Sequence, residues 1–164
     1  RAGMKGALSA GEFGGVLLAV FSPSAKADFQ WKETDSLNSS MVQVFAFKVD
    51  KANSMFTVTG SNDKQIFVGF HGEVYIDGST RSVRRVTLIA DDMPKDFPTH
   101  ATRIDVDYDY VSINNRDFLV PVSAEMRLVQ GRHQAQLNTM EFRNYRHYGS
   151  DMKILPGYEP VAKN

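Results

Sequence analysis

Three aspartates separated by single residues form the most chemically suggestive segment of the sequence. Asp105, Asp107 and Asp109 stand in Asp-Val-Asp-Tyr-Asp-Tyr, and carboxylates at this spacing begin calcium-binding loops. An EF-hand loop also needs glycine at its sixth position and glutamate at its twelfth, whereas this chain has Tyr110 and Arg116 there. A strand explains the same spacing, because alternate residues face opposite sides of a sheet and the aspartates then face water. The pattern favours the strand, and we predict no metal site.

The other residues that carry chemistry form no zinc-ligand pair, no G-x-S-x-G motif and no phosphate-binding glycine motif. The four histidines, His71, His100, His133 and His147, lie in separate segments, and no pair has a zinc-ligand spacing such as H-x-x-x-H. No serine stands in a G-x-S-x-G motif, and the phosphate-binding glycine motifs are absent. The sequence has no cysteine, which excludes disulfides, thiolate metal sites and cysteine nucleophiles. We therefore predict no catalytic residue, no cofactor and no enzymatic activity.

Charge balance bears on the partners of the chain. Lysine plus arginine and aspartate plus glutamate each number 19, so the formal net charge is zero and gives no general attraction to nucleic acid. Near the C-terminus, Arg143 and Arg146 alternate with Phe142, Tyr145 and Tyr148. Such a segment can bind single strands or anionic headgroups, but arginine stems also stack on aromatic rims in ordinary strands. We expect no nucleic-acid partner.

The N-terminal region predicts one helix and no membrane span. The longest apolar run, from Val16 to Phe21, is far shorter than the roughly 18 residues of a transmembrane helix. Ser9 and Glu12 have the spacing of a capping box, and Pro23 ends the pattern. The apolar stripe of this helix consists of Phe13, Val16, Leu17, Val20 and Phe21. Ala25-Lys26-Ala27 resembles a signal cleavage site, but we interpret the run as a mature helix whose export signal was removed upstream.

Nearly everything after this helix predicts strands and turns. Strands are expected at 41–49, 55–59, 66–70, 73–76, 83–89, 104–113, 118–129 and 135–148, with a loop at 91–98. Asn114-Asn115 predicts a tight turn, because asparagine tolerates positive φ. The apolar phase changes at Arg84-Arg85, which predicts a β-bulge. Pro121 cannot donate to a ladder, so it requires a bulge or a free edge.

These elements predict a mainly β fold (α+β), a strongly curved antiparallel sheet or half-open β-barrel with the N-terminal helix packed on its concave side. We expect one curved-sheet domain over residues 1–154 and a loosely ordered tail at 155–164. The helix either fills the concavity or covers an apolar cleft, and both arrangements need the same apolar inward face. The candidate ligand-binding residues are Phe13, Leu17, Phe21, Trp31, Phe45 and Phe47, with core packing as the alternative role.

The hairpin that starts at Gly72 carries a family resemblance. Its G-E-V-Y-I-D and the returning Val83-Arg84-Arg85-Val86 resemble the G-x-V-W-I-D … V-x-R-I hairpin of periplasmic lipoprotein carriers and sensors of the LolA, LolB and RseB kind. The segments 110–113, 119–125 and 141–146 are similar to uncharacterised exported proteins of Acidobacteria-like bacteria. The resemblance covers the C-terminal half to two-thirds of the chain. Tyr75 stands where those carriers commonly have tryptophan, and their ligand-contacting residues have no clear matches here.

The resemblance implies an open curved sheet with a hydrophobic cavity for acyl chains, export to the periplasm and no catalysis. The leading hypothesis is a periplasmic or outer-membrane-associated binding protein that shelters a lipid, lipoprotein or other apolar ligand, with an envelope protein as a further partner. The alternative is a structural or protein-interaction domain of an exported protein, with a filled core and no ligand. A hydrolase that uses a histidine and a carboxylate assembled by the fold is kept as a third hypothesis.

Overall fold

The computed structural model describes residues 13–59, 64–130, 134–143 and 145. Within these residues the chain forms one α-helix, α1 (Phe13–Phe21), and nine strands. The strands are β1 (Asp28–Leu37), β2 (Ser40–Val49), β3 (Thr57–Thr59), β4 (Gln65–Phe67), β5 (Phe70–Asp77), β6 (Val83–Ala90), β7 (Thr99–Ile113), β8 (Arg116–Gln130) and β9 (Gln134–Glu141). As predicted, the helix ends just before Pro23, which begins a short 3-10 turn.

An open seven-stranded antiparallel sheet forms the body of the protein. Its strand order is β1-β2-β5-β6-β7-β8-β9, and β3 pairs with β4 in a separate two-stranded sheet. The first and last strands of this order pair with only one neighbour each, so the sheet is not closed. The predicted fold class is confirmed: the fold is mainly β, a half-open antiparallel barrel with α1 against its concave side.

Local sequence signals fix the turns and bulges that shape the sheet. Asn114 and Asn115 have φ of 52° and 61° between β7 and β8, and positive φ at both central residues defines a type I′ hairpin turn. In β6, Arg84 is the extra residue between the pairs Tyr75↔Arg85 and Ile76↔Val83. The predictions of a turn at the two asparagines and a bulge at the two arginines are confirmed.

A second bulge accommodates the proline of β8. Tyr108 pairs with Pro121 and Asp107 pairs with Ser123, which leaves Val122 as the extra residue. The Val122 carbonyl oxygen accepts a hydrogen bond from the backbone N–H of Phe142 at 3.0 Å, so the carbonyl of the bulged residue still has a partner. This confirms the bulge expected near Pro121. Because bulges bend strands and increase their twist, they curve the sheet.

The concave face of the sheet carries the main core. Val16 and Val20 of α1 are buried against it, and they hold the helix on the sheet. The sheet contributes Phe47, Val49, Phe70, Val74, Val86, Leu88, Ile104, Val106, Tyr108, Ala124, Met126 and Leu128 to this cluster. A smaller cluster beside β3 and β4 consists of Val58, Val68 and Phe97.

Some boundaries differ from the sequence-based expectations. The strand expected at 55–59 starts only at Thr57, and the one expected at 66–70 divides between β4 and β5. The predicted capping box at Ser9 and the tail at 155–164 lie outside the described residues. The strand expected to reach Tyr148 ends earlier, at Glu141, and Phe142, Arg143 and Tyr145 lie outside it. Within the described part of the chain, no helix has the length and apolar character that a membrane crossing requires.

Candidate apolar ligand site

An apolar cleft of about 510 Å³ lies between α1 and the segment that leads into β3. The helix lines one wall, residues Met55 to Thr57 line the other, and Leu88 of β6 lies at the base. The helical residues that line it are Gly15, Val16, Leu18, Ala19 and Ser22. A cleft of this size is within the usual range for small-molecule sites.

Buried core residues form the base of the cleft, and exposed apolar residues form its rim. Leu88 is fully buried and Val16 nearly so, because both belong to the main core. Leu18 and Met55, one on each wall, are 70% and 74% exposed. Large apolar side chains with such exposure leave water-accessible hydrocarbon surface that a ligand would cover.

The lining offers little polar chemistry. Among the described residues, no charged side chain lines the cleft, and its polar side chains are the hydroxyls of Ser22 and Thr57. The Ser22 Oγ lies 3.0 Å from the Ser24 Oγ, so this hydroxyl already has one hydrogen-bond partner. The arrangement therefore suits an uncharged, apolar group and has no acid, base or nucleophile poised for a reaction.

Two helical candidates from the sequence, Leu17 and Phe21, lie on the helix that forms one wall of this cleft but are not among its lining residues. Leu17 is half-buried and packs against the core cluster. Phe21 is 45% exposed and stacks on Phe29, with ring centroids 5.5 Å apart. Phe13 is the first residue of α1, and its side chain is outside the described part.

The candidates on strands have three different environments. Trp31 is 61% exposed on β1 and donates its indole N–H to Oε1 of Gln43 at 3.0 Å. Phe45 is half-buried against the core cluster, and Phe47 is buried within it. Phe47 contacts Phe29 and Phe70 through its ring. A ligand-binding role for these residues stays a prediction.

Sequence reasoning missed the residues that do line the cleft. Leu18 lies off the apolar stripe of the helix, so a search at three- and four-residue spacing passes over it. The available signal was the unbroken apolar run from Val16 to Phe21, which places apolar side chains on more than one face of α1. Met55 and Phe56 looked like the start of a strand, whereas they precede β3 and form a cleft wall.

The convex face of the sheet carries the aspartates that suggested calcium. Asp105 accepts two hydrogen bonds from Arg103, both at 2.9 Å, and Asp107 accepts hydrogen bonds from Arg85 at 2.6 and 3.1 Å. Asp109 accepts one from Arg84 at 3.0 Å. These pairs agree with the interpretation as outward-facing strand residues.

Burial and hydrogen bonding act in opposite directions on the pKa of the Asp105 carboxylate. Burial alone would raise the pKa of Asp105, but hydrogen bonds from Arg103 and Thr87 outweigh burial and hold that pKa below its ordinary value. Asp105 is therefore ionised and already bound by its neighbours. Over the described ranges, no three histidine or carboxylate side chains gather as a set of metal ligands.

His71 lines a second groove, of about 440 Å³, on the convex face, and it pairs with a carboxylate beside that groove. Nδ1 of His71 is 2.7 Å from Oδ1 of Asp91, and Lys48 and Arg103 also line this groove. This meets the geometric condition of the hydrolase hypothesis. The hydroxyl among the described lining residues belongs to Thr87, which donates to Asp105. The groove thus offers a base, but the described residues place no activated nucleophile beside it.

No protein-family model matches the chain, and no curated protein or solved structure is significantly similar to it. The geometry of the cleft and of the sheet therefore carries the functional argument.

Proposed function

We propose that the protein is a non-catalytic binding protein of the bacterial envelope, periplasmic or associated with the outer membrane. It shelters a lipid, a lipoprotein or another apolar group in the cleft between α1 and Met55–Thr57. The observation that carries this proposal is the continuous apolar volume of about 510 Å³ in that cleft. Its lining of hydrocarbon and two hydroxyls fits a neutral chain better than a charged or strongly polar ligand.

The energetics of the rim support a ligand at this place. Leu18 and Met55 keep most of their surface in water. Covering apolar surface contributes about 25 cal/mol per Å², so a chain lying between these two residues gains stability from both walls. The helix is anchored by Val16 and Val20 on its inner side, which leaves its Leu18 side available.

The envelope setting rests on the family resemblance. The hairpin of β5 and β6 contains the residues that resemble the LolA-type carriers, and an open curved sheet with a helix on its concave side is what that resemblance implies. Fractionation of the source bacterium with an antibody to the native protein tests the location. Recovery in the periplasm or with the outer membrane is expected, and recovery in the cytoplasm contradicts this part of the proposal.

Binding is tested with the neutral fluorescent probe N-phenyl-1-naphthylamine. The wild-type protein is expected to bind it saturably, and Leu18→Glu to weaken binding at least about tenfold, since a tenfold change corresponds to about 1.4 kcal/mol. Met41→Glu is the matched control, because Met41 is 62% exposed but does not line the cleft. Circular dichroism verifies that both variants fold.

Two outcomes decide between this proposal and its alternative. Loss of binding in Leu18→Glu, with Met41→Glu unchanged, supports a ligand in the cleft. Absence of saturable binding to the wild-type protein, together with native mass spectra that show no co-purified lipid, contradicts it. An interaction domain then becomes the better description, and the exposed apolar rings of Phe21, Phe29 and Trp31 beside β1 are the observation that favours it.

A further inference from the structure

The two edges of the open sheet differ in how they are protected. In β1, the register with β2 is interrupted between Trp31 and Glu33, so Lys32 is a bulged residue. The strand also carries four charged side chains, those of Asp28, Lys32, Glu33 and Asp35. Bulges and charged residues are the usual devices that prevent an edge strand from pairing with another chain. The β1 edge is therefore protected.

The β9 edge lacks these devices. It pairs with β8 over eight consecutive residue pairs, from Ser123↔Glu141 to Gln130↔Gln134, without a register shift. Residues 134 to 140 contain neither a charge nor a proline. A strand without a bulge, and without a charge before its last residue, Glu141, presents a regular row of backbone N–H and C=O groups to a partner strand.

Leu137 of β9 is a large apolar side chain on the convex face of the sheet. Leu137 pairs with Arg127, which puts it on the convex face with the ion pairs of β6, β7 and β8. It is 59% exposed. A leucine this exposed, on an edge strand that pairs with no described strand other than β8, suggests a contact that covers it.

We propose that β9 pairs with β9 of a second copy of this chain, antiparallel about a two-fold axis at Leu137. The two seven-stranded sheets then join into one continuous sheet. A two-fold axis perpendicular to the sheet preserves its faces, so each residue meets one of the same face. Leu137 meets Leu137, Ala135 meets Thr139 and Gln136 meets Asn138, and no like charges oppose each other.

Self-complementarity is the reason to choose a second copy as the occupant. The same strand placed against itself brings the two exposed leucines together and sets amide beside amide. This inference concerns the sheet edge and does not depend on a ligand in the cleft. A peptide of another protein or a strand from elsewhere in this chain would pair with the same backbone groups, and either would leave the purified protein monomeric.

Sedimentation velocity over a concentration series from micromolar to millimolar tests the proposal. The wild-type protein is expected to dimerise, and Leu137→Lys to shift the protein to monomer, because two ammonium groups then meet at the axis. Ser36→Lys is the matched control, since it adds the same charge at an exposed position of the β1 edge. It should leave the dimer intact.

Mixing two oppositely charged variants gives a second test, because a misfolded variant could not form the expected heterodimer. Leu137→Glu alone should also be monomeric, whereas an equimolar mixture with Leu137→Lys should form a heterodimer that is weakened by salt. A wild-type protein that is monomeric at every concentration overturns the proposal. So does a dimer that survives Leu137→Lys or that Ser36→Lys disrupts equally.

Discussion

Lys32 Nζ lies 2.6 Å from Oε1 of Glu73, and this contact joins the edge strand β1 to β5 across the intervening β2. It passes the small side chain of Ala46, which pairs with Gln30 on one side and with Glu73 on the other. Lys32, the bulged residue of β1, thus links this edge strand to β5.

Replacing Lys32 should change the titration of its partner. The hydrogen bond from Lys32 lowers the pKa of Glu73 and, with the one from the Tyr75 hydroxyl, outweighs the opposing effect of burial. Lys32→Gln should therefore raise the Glu73 pKa, measured by NMR titration of the carboxyl carbon. Lys48→Gln is the control, because the ion pair of Lys48 is with Asp50, at 3.9 Å. An unchanged Glu73 pKa in Lys32→Gln would show that the contact is not formed in solution.

Asp77 should make the stability of the β5–β6 hairpin depend on acid. Hydrogen bonds from the Ser79 hydroxyl and from the backbone N–H groups of Thr80 and Ser79 lower the pKa of Asp77 to about 2. A pKa below the unfolded value of 3.8 stabilises the fold above about pH 4, and this contribution is lost as the pH falls toward about 2. Asp77→Asn should flatten this part of the stability profile, measured by urea unfolding against pH. Asp96→Asn, at an exposed loop position, should keep the wild-type profile, and equal profiles for Asp77→Asn and the wild type would refute the assignment.

Gly72 should tolerate no side chain. A Cβ atom at this position would overlap the carbonyl oxygen of Thr87 on the neighbouring strand, and backbone cannot move aside easily. We expect Gly72→Ala to lower the free energy of unfolding by at least about 2 kcal/mol. Gly15→Ala is the contrast, because no atom of the described part of the chain lies within 4 Å of the added Cβ and alanine stabilises a helix by about 0.5 kcal/mol relative to glycine. Denaturant unfolding measures both, and similar effects of the two substitutions would contradict the close approach at Gly72.

Two buried threonines should respond in opposite directions to loss of their hydroxyl. The Thr102 hydroxyl is buried and has no hydrogen-bond partner among the described residues, so Thr102→Val should raise the free energy of unfolding by about 1 kcal/mol. The Thr87 hydroxyl donates to Asp105 at 2.8 Å, so Thr87→Val should lower it by about 2 kcal/mol. Thermal and urea unfolding of both variants provide the comparison. A loss of stability in Thr102→Val would mean that its hydroxyl is paired in solution.

The sequence predicts those features that depend on neighbouring residues. The asparagine pair predicts the β7–β8 turn through its tolerance of positive φ, and the phase change at Arg84 and the missing N–H of Pro121 predict the bulges. The features it could not predict join distant parts of the chain. Lys32 of β1 can reach Glu73 of β5 because the sheet places only one strand, β2, between them. His71 of β5 contacts Asp91, which directly follows β6. The sequence around each of these residues does not indicate which distant residue it will contact.

The cleft, too, depends on residues that are distant in the sequence. Its walls come from α1 and from residues about 40 positions later, and the gap between them depends on how the helix is anchored. Hydrophobic patterning identifies which helical residues face inward, but it does not identify Leu18, whose side chain lies at the rim beside the buried stripe.

Five phenylalanine rings connect the two walls of this cleft by a longer route. Phe21 at the end of α1 contacts Phe29, and the contacts continue through Phe47 and Phe70 to Phe56 on the opposite wall. Close-packed rings resist compression and transmit displacement. We therefore expect a ligand that displaces Phe56 also to displace Phe21 at the end of α1. The two walls of the cleft are thus coupled through packed rings, and a bulky ligand that enters must deform this packing.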